Sequence, residues 1–365
     1  MSKEFSLPYW YDLHVHLRQD GLLPPLIAAH RAMGCAGVLA MPNTRPPIAD
    51  IASITRYRKE ILEAGADDFQ AIIIPLYLTR DTTPAMIEDG ARTGALQACK
   101  YYPPHGTTNS DFGVPLEHYI SNGVFQAMQD NGIVLCIHGE EHGLEGAAYF
   151  SRTRNAEEIF YRERIPRLVE AFPSLKIVCE HITSKVAADF VTNASSHVAA
   201  TITPQHILYT VGDLLMALNY HLYCKPVLKF DDDRTALLEA VMRPQQTKFF
   251  AGTDSAPHTT KATPCGCAAG CFTGAIAPQL YAMGFESGGA NLDHDTDRQI
   301  FEQFLCNNGK NFYGLPDPDR RFTLTRAASP VTILPTPDGP ITPLPAGLNP
   351  DHDKTGTTIP WSLQL

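Results

Sequence analysis

Eight short apolar runs, spaced on average about 30 residues apart with helical periodicity between them, constrain this chain more than any other feature. They fall at residues 8–15, 37–41 and 71–77, then in three runs ending on Lys100, His138 and His181, and finally at 198–202 and 247–252. Apolar runs alternating with helical stretches read as βα units of a parallel sheet. Eight such units close economically into a (β/α)8 TIM barrel, an α/β fold. The punctuation agrees with this reading. A helix over 22–33 is closed by Gly34, Ser53 is placed to cap a helix over 54–64, and Thr83-Pro84 opens another in cap-then-proline order. Pro75 marks a local irregularity in the third strand.

The length of 365 residues admits two domains, but barrels of this kind commonly exceed 200 residues as one. The pattern therefore predicts a single domain, with the barrel over about 8–328 and a Pro-, Thr- and Gly-rich extension over 329–365, extended and packed on the barrel. Residues 209–233 form a long connection, and long connections in compact domains usually serve function. Composition is that of a soluble globular enzyme, 44% hydrophobic and 19% charged. No apolar run reaches the roughly 18 residues of a membrane span, and no secretory segment precedes the first strand, so a cytoplasmic location is expected. Nine cysteines, an odd number, argue for reduced thiols over a disulfide framework. A net charge of −10 disfavours nucleic acid or an anionic membrane as the main partner. An anionic small molecule stays open, because a local metal and arginine site can outweigh the global field.

The chemistry lies at the strand ends, where a parallel barrel builds its site. His14 and His16, two apart on a strand, present both imidazoles to one face, and imidazole suits zinc. Lys100, His138, His181 and Asp254 occupy the ends of four further runs, whereas His30, His118, His197 and His221 lack such placement and read as packed or surface residues. A lysine ammonium cannot coordinate a cation, so the plain reading of Lys100 is a surface or substrate-binding residue. A buried, neutral lysine can instead react with carbon dioxide to give an anionic carbamate, whose two oxygens suit two cations. Arg18, two residues past His16, points to the same mouth, and its planar fork suits a carboxylate. Asn43 and His258 can add hydrogen bonds to that anion. Residues 103–113 are rich in turn formers and can close over the site. Cys265-Gly266-Cys267 lacks the Cys-x-x-Cys spacing of a zinc knuckle and reads as a substrate-side loop.

Asp12-Leu13-His14-Val15-His16-Leu17-Arg18, Cys99-Lys100-Tyr101-Tyr102-Pro103, His138-Gly139-Glu140, Glu180-His181-Ile182-Thr183 and Gly252-Thr253-Asp254-Ser255-Ala256-Pro257-His258 together resemble the dihydroorotases of the amidohydrolase superfamily. Among these the chain is most similar to the shorter, stand-alone bacterial type, over nearly the whole barrel; the histidine pair alone marks only the superfamily. The resemblance implies two Zn²⁺ per subunit, one on His14, His16 and Asp254 and the other on His138 and His181. N6-carboxylated Lys100 and a hydroxide would bridge them. It further implies Asp254 as proton shuttle, Arg18, Asn43 and His258 on the substrate carboxylate, Thr107 and Thr108 as lid hydroxyls, and Ala268 as a backbone contact. Lys225 stands where an apolar residue with main-chain contacts to substrate is expected, and is counted with the substrate-binding set. The implied reaction is reversible hydrolysis of dihydroorotate to N-carbamoyl-aspartate in pyrimidine synthesis by a homodimer, with no redox or nucleotide cofactor. Two alternatives stand beside it. A hydantoin- or dihydropyrimidine-hydrolysing relative would act on neutral rings lacking the carboxylate that Arg18, Asn43 and His258 suit. A barrel kept only as a scaffold would not need its full ligand set and Asp254.

Overall fold

The computed structural model describes residues 4–104, 106, 110–264 and 266–365. Its centre is a ring of eight parallel strands: Trp10–Val15, Cys35–Ala40, Ala71–Ile73 continued as Leu76–Tyr77, Ala98–Tyr101, Val134–His138, Ile177–Glu180, Val198–Ile202 and Phe249–Ala251. Each pairs with its sequence neighbour, as βα units dictate. The third strand breaks at Pro75, which has no N–H to give the ladder. The ring closes between first and eighth strands, where Asp254 N donates to His14 O at 2.8 Å and His16 N to Ser255 O at 3.0 Å. Strand residues are buried almost throughout, as expected for a parallel sheet covered by helices on its outer face. Between the second and third strands the backbones approach so closely that a Cβ on Gly37 would lie 2.2 Å from Ala71 O. Only glycine fits there.

Several boundaries differ from expectation. The second helix is Ile51–Glu63, because Asp50 rather than Ser53 is the cap. The Asp50 carboxylate accepts from Ser53 N at 2.7 Å, while Ser53, at the third helical position, receives Asp50 N on its hydroxyl. Residue 8 belongs not to the first barrel strand but to Glu4–Pro8, which runs antiparallel to Arg321–Thr325; that strand in turn pairs with Ser362–Gln364. The sixth strand stops at Glu180, one residue before His181, and the fourth runs one past Lys100. Thr83 caps Pro84–Arg92 as predicted.

The extension is mostly extended and well packed. Ser329–Pro330 pairs with Thr358–Ile359, and Trp361 is buried in the same apolar cluster as Phe5 and the barrel strands. Leu344 packs with Leu222, Cys224 and Leu228 of the long connection, so extension and connection support each other. The eight described cysteines are free thiols. Among the described residues no helix is long and apolar enough to cross a membrane.

Candidate active site

The strand ends bring the expected ligands together. Donor atoms of His14, His16 and Asp254 lie within 4.8 Å of one another. His16 Nε2 is 3.1 Å and His14 Nε2 3.4 Å from Asp254 Oδ1. The His181 ring lies 4.8 Å, centroid to centroid, from both His14 and His138, joining the two ends of the cluster. Lys100 is fully buried beside them. Its Nζ, His14 Nε2 and His181 Nδ1 are buried with no hydrogen-bond partner among the described residues, a costly state for polar atoms. Converging imidazole nitrogens and a carboxylate, with their lone pairs unspent, fit a transition metal such as zinc.

Electrostatics favour that role. Burial lowers His16 to about 4 and His181 well below the usual imidazole range, and lowers His138 despite the opposing Glu140, so these rings are neutral and able to coordinate. Burial would raise the Asp254 carboxyl, but the His16 hydrogen bond and the nearby imidazoles outweigh it and hold it at about 2. Lys100 is pushed below its ordinary value by burial, against the pull of Glu180. That favours the neutral, nucleophilic amine.

Behind the ligands stands a layer of carboxylates to which sequence reasoning gave no role. Glu180 Oε2 lies 2.7 Å from His14 Nδ1 and accepts from Thr201 Oγ1 at 2.6 Å. Glu140 Oε2 lies 2.8 Å from His138 Nε2. Asp12 accepts from Thr253 N at 2.9 Å and Thr253 Oγ1 at 2.6 Å, and lies 3.2 Å from His30 Nε2. Such partners fix which nitrogen a histidine offers a metal. A signal existed for Asp12, which precedes His14 by two residues and so shares its face. None existed for Glu180, because strand alternation would send consecutive Glu180 and His181 to opposite faces. A left-handed turn at His181, φ 40°, brings both inward. Arg18 at φ 56° and Asp254 at φ 47° share this conformation, unusual for residues with a Cβ.

A small cavity opens onto the cluster, lined by the histidines, Asp254, Arg18, Asn43, Tyr102 and Lys225. Arg18 is fixed in place: its Nε donates to Pro257 O at 3.1 Å, and its own carbonyl accepts from Tyr57 Oη at 2.8 Å. His258 Nε2 lies 3.2 Å from Arg18 Nη2 and 2.9 Å from Ala269 O, and as a single nitrogen it either accepts from the guanidinium or donates to that carbonyl. The expected backbone contact from Ala268 is displaced. Ala268 N donates to Lys261 O at 2.8 Å and its carbonyl accepts from Lys261 Nζ at 2.7 Å, leaving Ala269 and Gly270 as the cavity wall. Cys267 and Cys271 face the carbonyls of Tyr220 and His221, apart from the ligand cluster. Thr107, Thr108 and Cys265 lie outside the described residues.

No family model matches the chain. The dihydroorotase of Halorhodospira halophila is 40% identical over 348 residues, covering 94% of this chain and 96% of the relative. The chain belongs to the dihydroorotase family. A solved dihydroorotase from Saccharomyces cerevisiae, in complex with 5-fluoroorotic acid, superposes on this family member with a TM-score of 0.85 at 28% identity, over 99% of this chain and 98% of that one. The L-hydantoinase of Arthrobacter aurescens shares the fold, with a TM-score of 0.72 at 14% identity over 98% of this chain and 83% of its own. Dihydroorotase membership implies a metal cofactor, and His14, His16 and Asp254 form a candidate site for it.

Proposed function

We propose that this chain catalyses the reversible hydrolysis of dihydroorotate to N-carbamoyl-L-aspartate, with ring closure the direction of pyrimidine synthesis. The observation that carries this reading is 40% identity to a dihydroorotase over nearly the full length of both chains. On this reading His14, His16 and Asp254 would hold one zinc ion and His138 and His181 a second. Lys100, whose neutral amine could add carbon dioxide, would as a carbamate help hold the pair; its buried Nζ, without a hydrogen-bond partner among the described residues, supports that role. Bound ions supply Lewis acidity at the attacked carbonyl and a nucleophile from water near neutral pH.

The remaining work falls to side chains. Arg18 takes the substrate carboxylate, its orientation fixed by Pro257 O and Tyr57, with Asn43 and His258 beside it. Asp254 accepts the proton of the attacking water and passes it to the departing ring nitrogen; in ring closure it runs in reverse. Thr107 and Thr108 serve as lid hydroxyls over bound substrate. The barrel over about 8–328 and the extension over 329–365 act as one domain, working as a homodimer in the cytoplasm.

The hydantoinase fold likeness makes a cyclic amidohydrolase of neutral rings the second reading. Turnover on metal-loaded protein decides between them. Dihydroorotate is expected to react at least about 10³-fold faster than hydantoin or dihydrouracil, because a buried cation left without its anion penalises a neutral ring. A preference for either neutral ring refutes the proposal.

A further inference from the structure

We infer that Lys261 is a positioning residue: it holds the Ala269 carbonyl against His258 and so limits the claim of that ring on the Arg18 guanidinium. The inference deepens the dihydroorotate reading and rests on it. Lys261 is buried, and its ammonium spends all three donors on backbone carbonyls, Tyr223 O at 2.6 Å, Ala268 O at 2.7 Å and Gly270 O. Burial lowers it below its ordinary value, so the charge is kept at a cost that an apolar side chain in the same space would not incur. Tyr223 belongs to the long connection, whereas Ala268 and Gly270 belong to the loop after the eighth strand. One side chain therefore ties together two segments that wall the cavity through Lys225, Ala269 and Gly270. Backbone bonds double the tie, since Gly270 N donates to Tyr223 O at 2.9 Å and Ala268 N to Lys261 O at 2.8 Å.

The carbonyls of this loop alternate. Those of Ala268 and Gly270 turn to Lys261, and that of Ala269, between them, turns to His258, whose Nε2 lies 2.9 Å away. Drawing the first and third peptide oxygens to one ammonium sends the second the other way. There is little slack in this arrangement: a Cβ on Gly270 would lie 2.7 Å from Ala256 O and 3.2 Å from His258 Nε2.

What this does to the site follows from the hydrogen count on one nitrogen. Burial and the guanidinium lower His258 to about 4, so the ring is neutral and carries a single proton. Protonated, Nε2 donates to Ala269 O and makes no claim on Arg18. Unprotonated, it accepts from Arg18 Nη2, 3.2 Å away, and takes up a guanidinium hydrogen. Arg18 Nε is already committed to Pro257 O, so an incoming carboxylate is met by the Nη groups, where that hydrogen counts. A carbonyl held at 2.9 Å favours the protonated form. With Ala269 O released, the partner left to Nε2 among the described residues is a donor, and Nε2 can only accept.

The test labels histidine with nitrogen-15 in wild type, Lys261→Met and Lys261→Gln, all metal-loaded, and assigns the His258 signals by their loss in His258→Ala. Lys261→Gln keeps polar atoms under the loop and carries the comparison if the methionine variant fails to fold. In either variant the His258 ring should shift toward the form unprotonated on Nε2, with the other histidine signals in place. An unchanged His258 ring would overturn the inference. Calorimetric titration with orotate, an unreactive ring bearing one carboxylate, reads the consequence. Its Kd should rise at least about tenfold in either variant, but less than about twofold when the same change is made in His258→Ala. Equal losses in both backgrounds would overturn the inference, since Lys261 would then act on the cavity wall without His258. The ring spectra need neither ligand nor turnover, so failure of wild type to bind orotate or hydrolyse dihydroorotate would sink the functional reading separately.

Discussion

Replacing Asp12 by Ala asks whether the barrel seam, and the ligands flanking it, depend on one buried carboxylate. Asp12 is fully buried and accepts from Thr253 N, Thr253 Oγ1 and, at 3.4 Å, His14 N, with His30 Nε2 also against it. In the alanine variant the Thr253 hydroxyl can turn to His14 O, already 3.4 Å away, so that donor finds a substitute. Thr253 N–H and His30 Nε2 keep none, although His30 Nδ1 still faces Leu26 O at 2.8 Å. At about 1–3 kcal/mol for each orphaned buried group, the loss is about 2–6 kcal/mol. An unfolding entropy of about 2.1 cal/mol/K per residue gives roughly 0.8 kcal/mol/K for a chain of 365 residues, so Tm should fall by about 3–8 °C. Because Thr253 precedes Asp254 and Asp12 also receives His14 N, bound metal should fall as well. Scanning calorimetry and metal analysis on the purified variant read both quantities. A Tm within about 1 °C of wild type, with metal content intact, would show that the seam is held by its backbone ladder alone.

Three further outcomes are expected. Lys100→Ala should lose most bound metal and activity, with partial return on adding a short carboxylic acid as substitute bridge; unchanged metal and turnover would defeat the bridging role. Arg18→Met should lower kcat/KM for dihydroorotate by about 2–4 kcal/mol, roughly 30- to 1000-fold, at constant metal content; normal affinity would return Arg18 to a structural role. Glu157 is fully buried, and burial raises it from 4.5 to about 7 against the pull of Lys229, 3.9 Å away, and its bonds from Thr183. A raised folded-state pKa means the native chain binds the extra proton, so this contribution of about 3 kcal/mol is complete below pH 4.5 and lost as pH climbs through 7. Denaturant titrations of Glu157→Gln across that window should show a smaller fall in stability than wild type, and parallel curves would refute the assignment.

The ring of strands was legible because each unit is local: an apolar run, a cap, a helix period. His14 and His16 were legible for the same reason, since two residues on a strand share a face whatever surrounds them. What escaped depended on partners distant in sequence. Glu4–Pro8 finds Arg321–Thr325 more than 300 residues away, and no local pattern announces such a pairing. Glu180 carries the same side chain as any surface glutamate, and only the folded ring shows that it meets His14, whereas Glu140 meets His138 only two residues away, a spacing that was readable and went unread. His30, read as a packed residue, is indeed packed, but against Asp12, a contact spacing could not assign. Ala268 gives its N–H and its carbonyl to Lys261, a competition invisible in a run of small residues.

Arg18, His181 and Asp254 each hold a left-handed backbone that costs a residue with a Cβ about 1–3 kcal/mol. Glycine would release that strain at all three positions, and at each it would delete the guanidinium, the imidazole or the carboxylate on which the proposed reaction turns. A selection for heat resistance blind to turnover would therefore be drawn to the mouth of the barrel and would harden the protein by disarming it. Variants that gain melting temperature and keep their rate must find the gain elsewhere, in surface caps, loops and the packed extension, where side chain and backbone do not compete for the same residue.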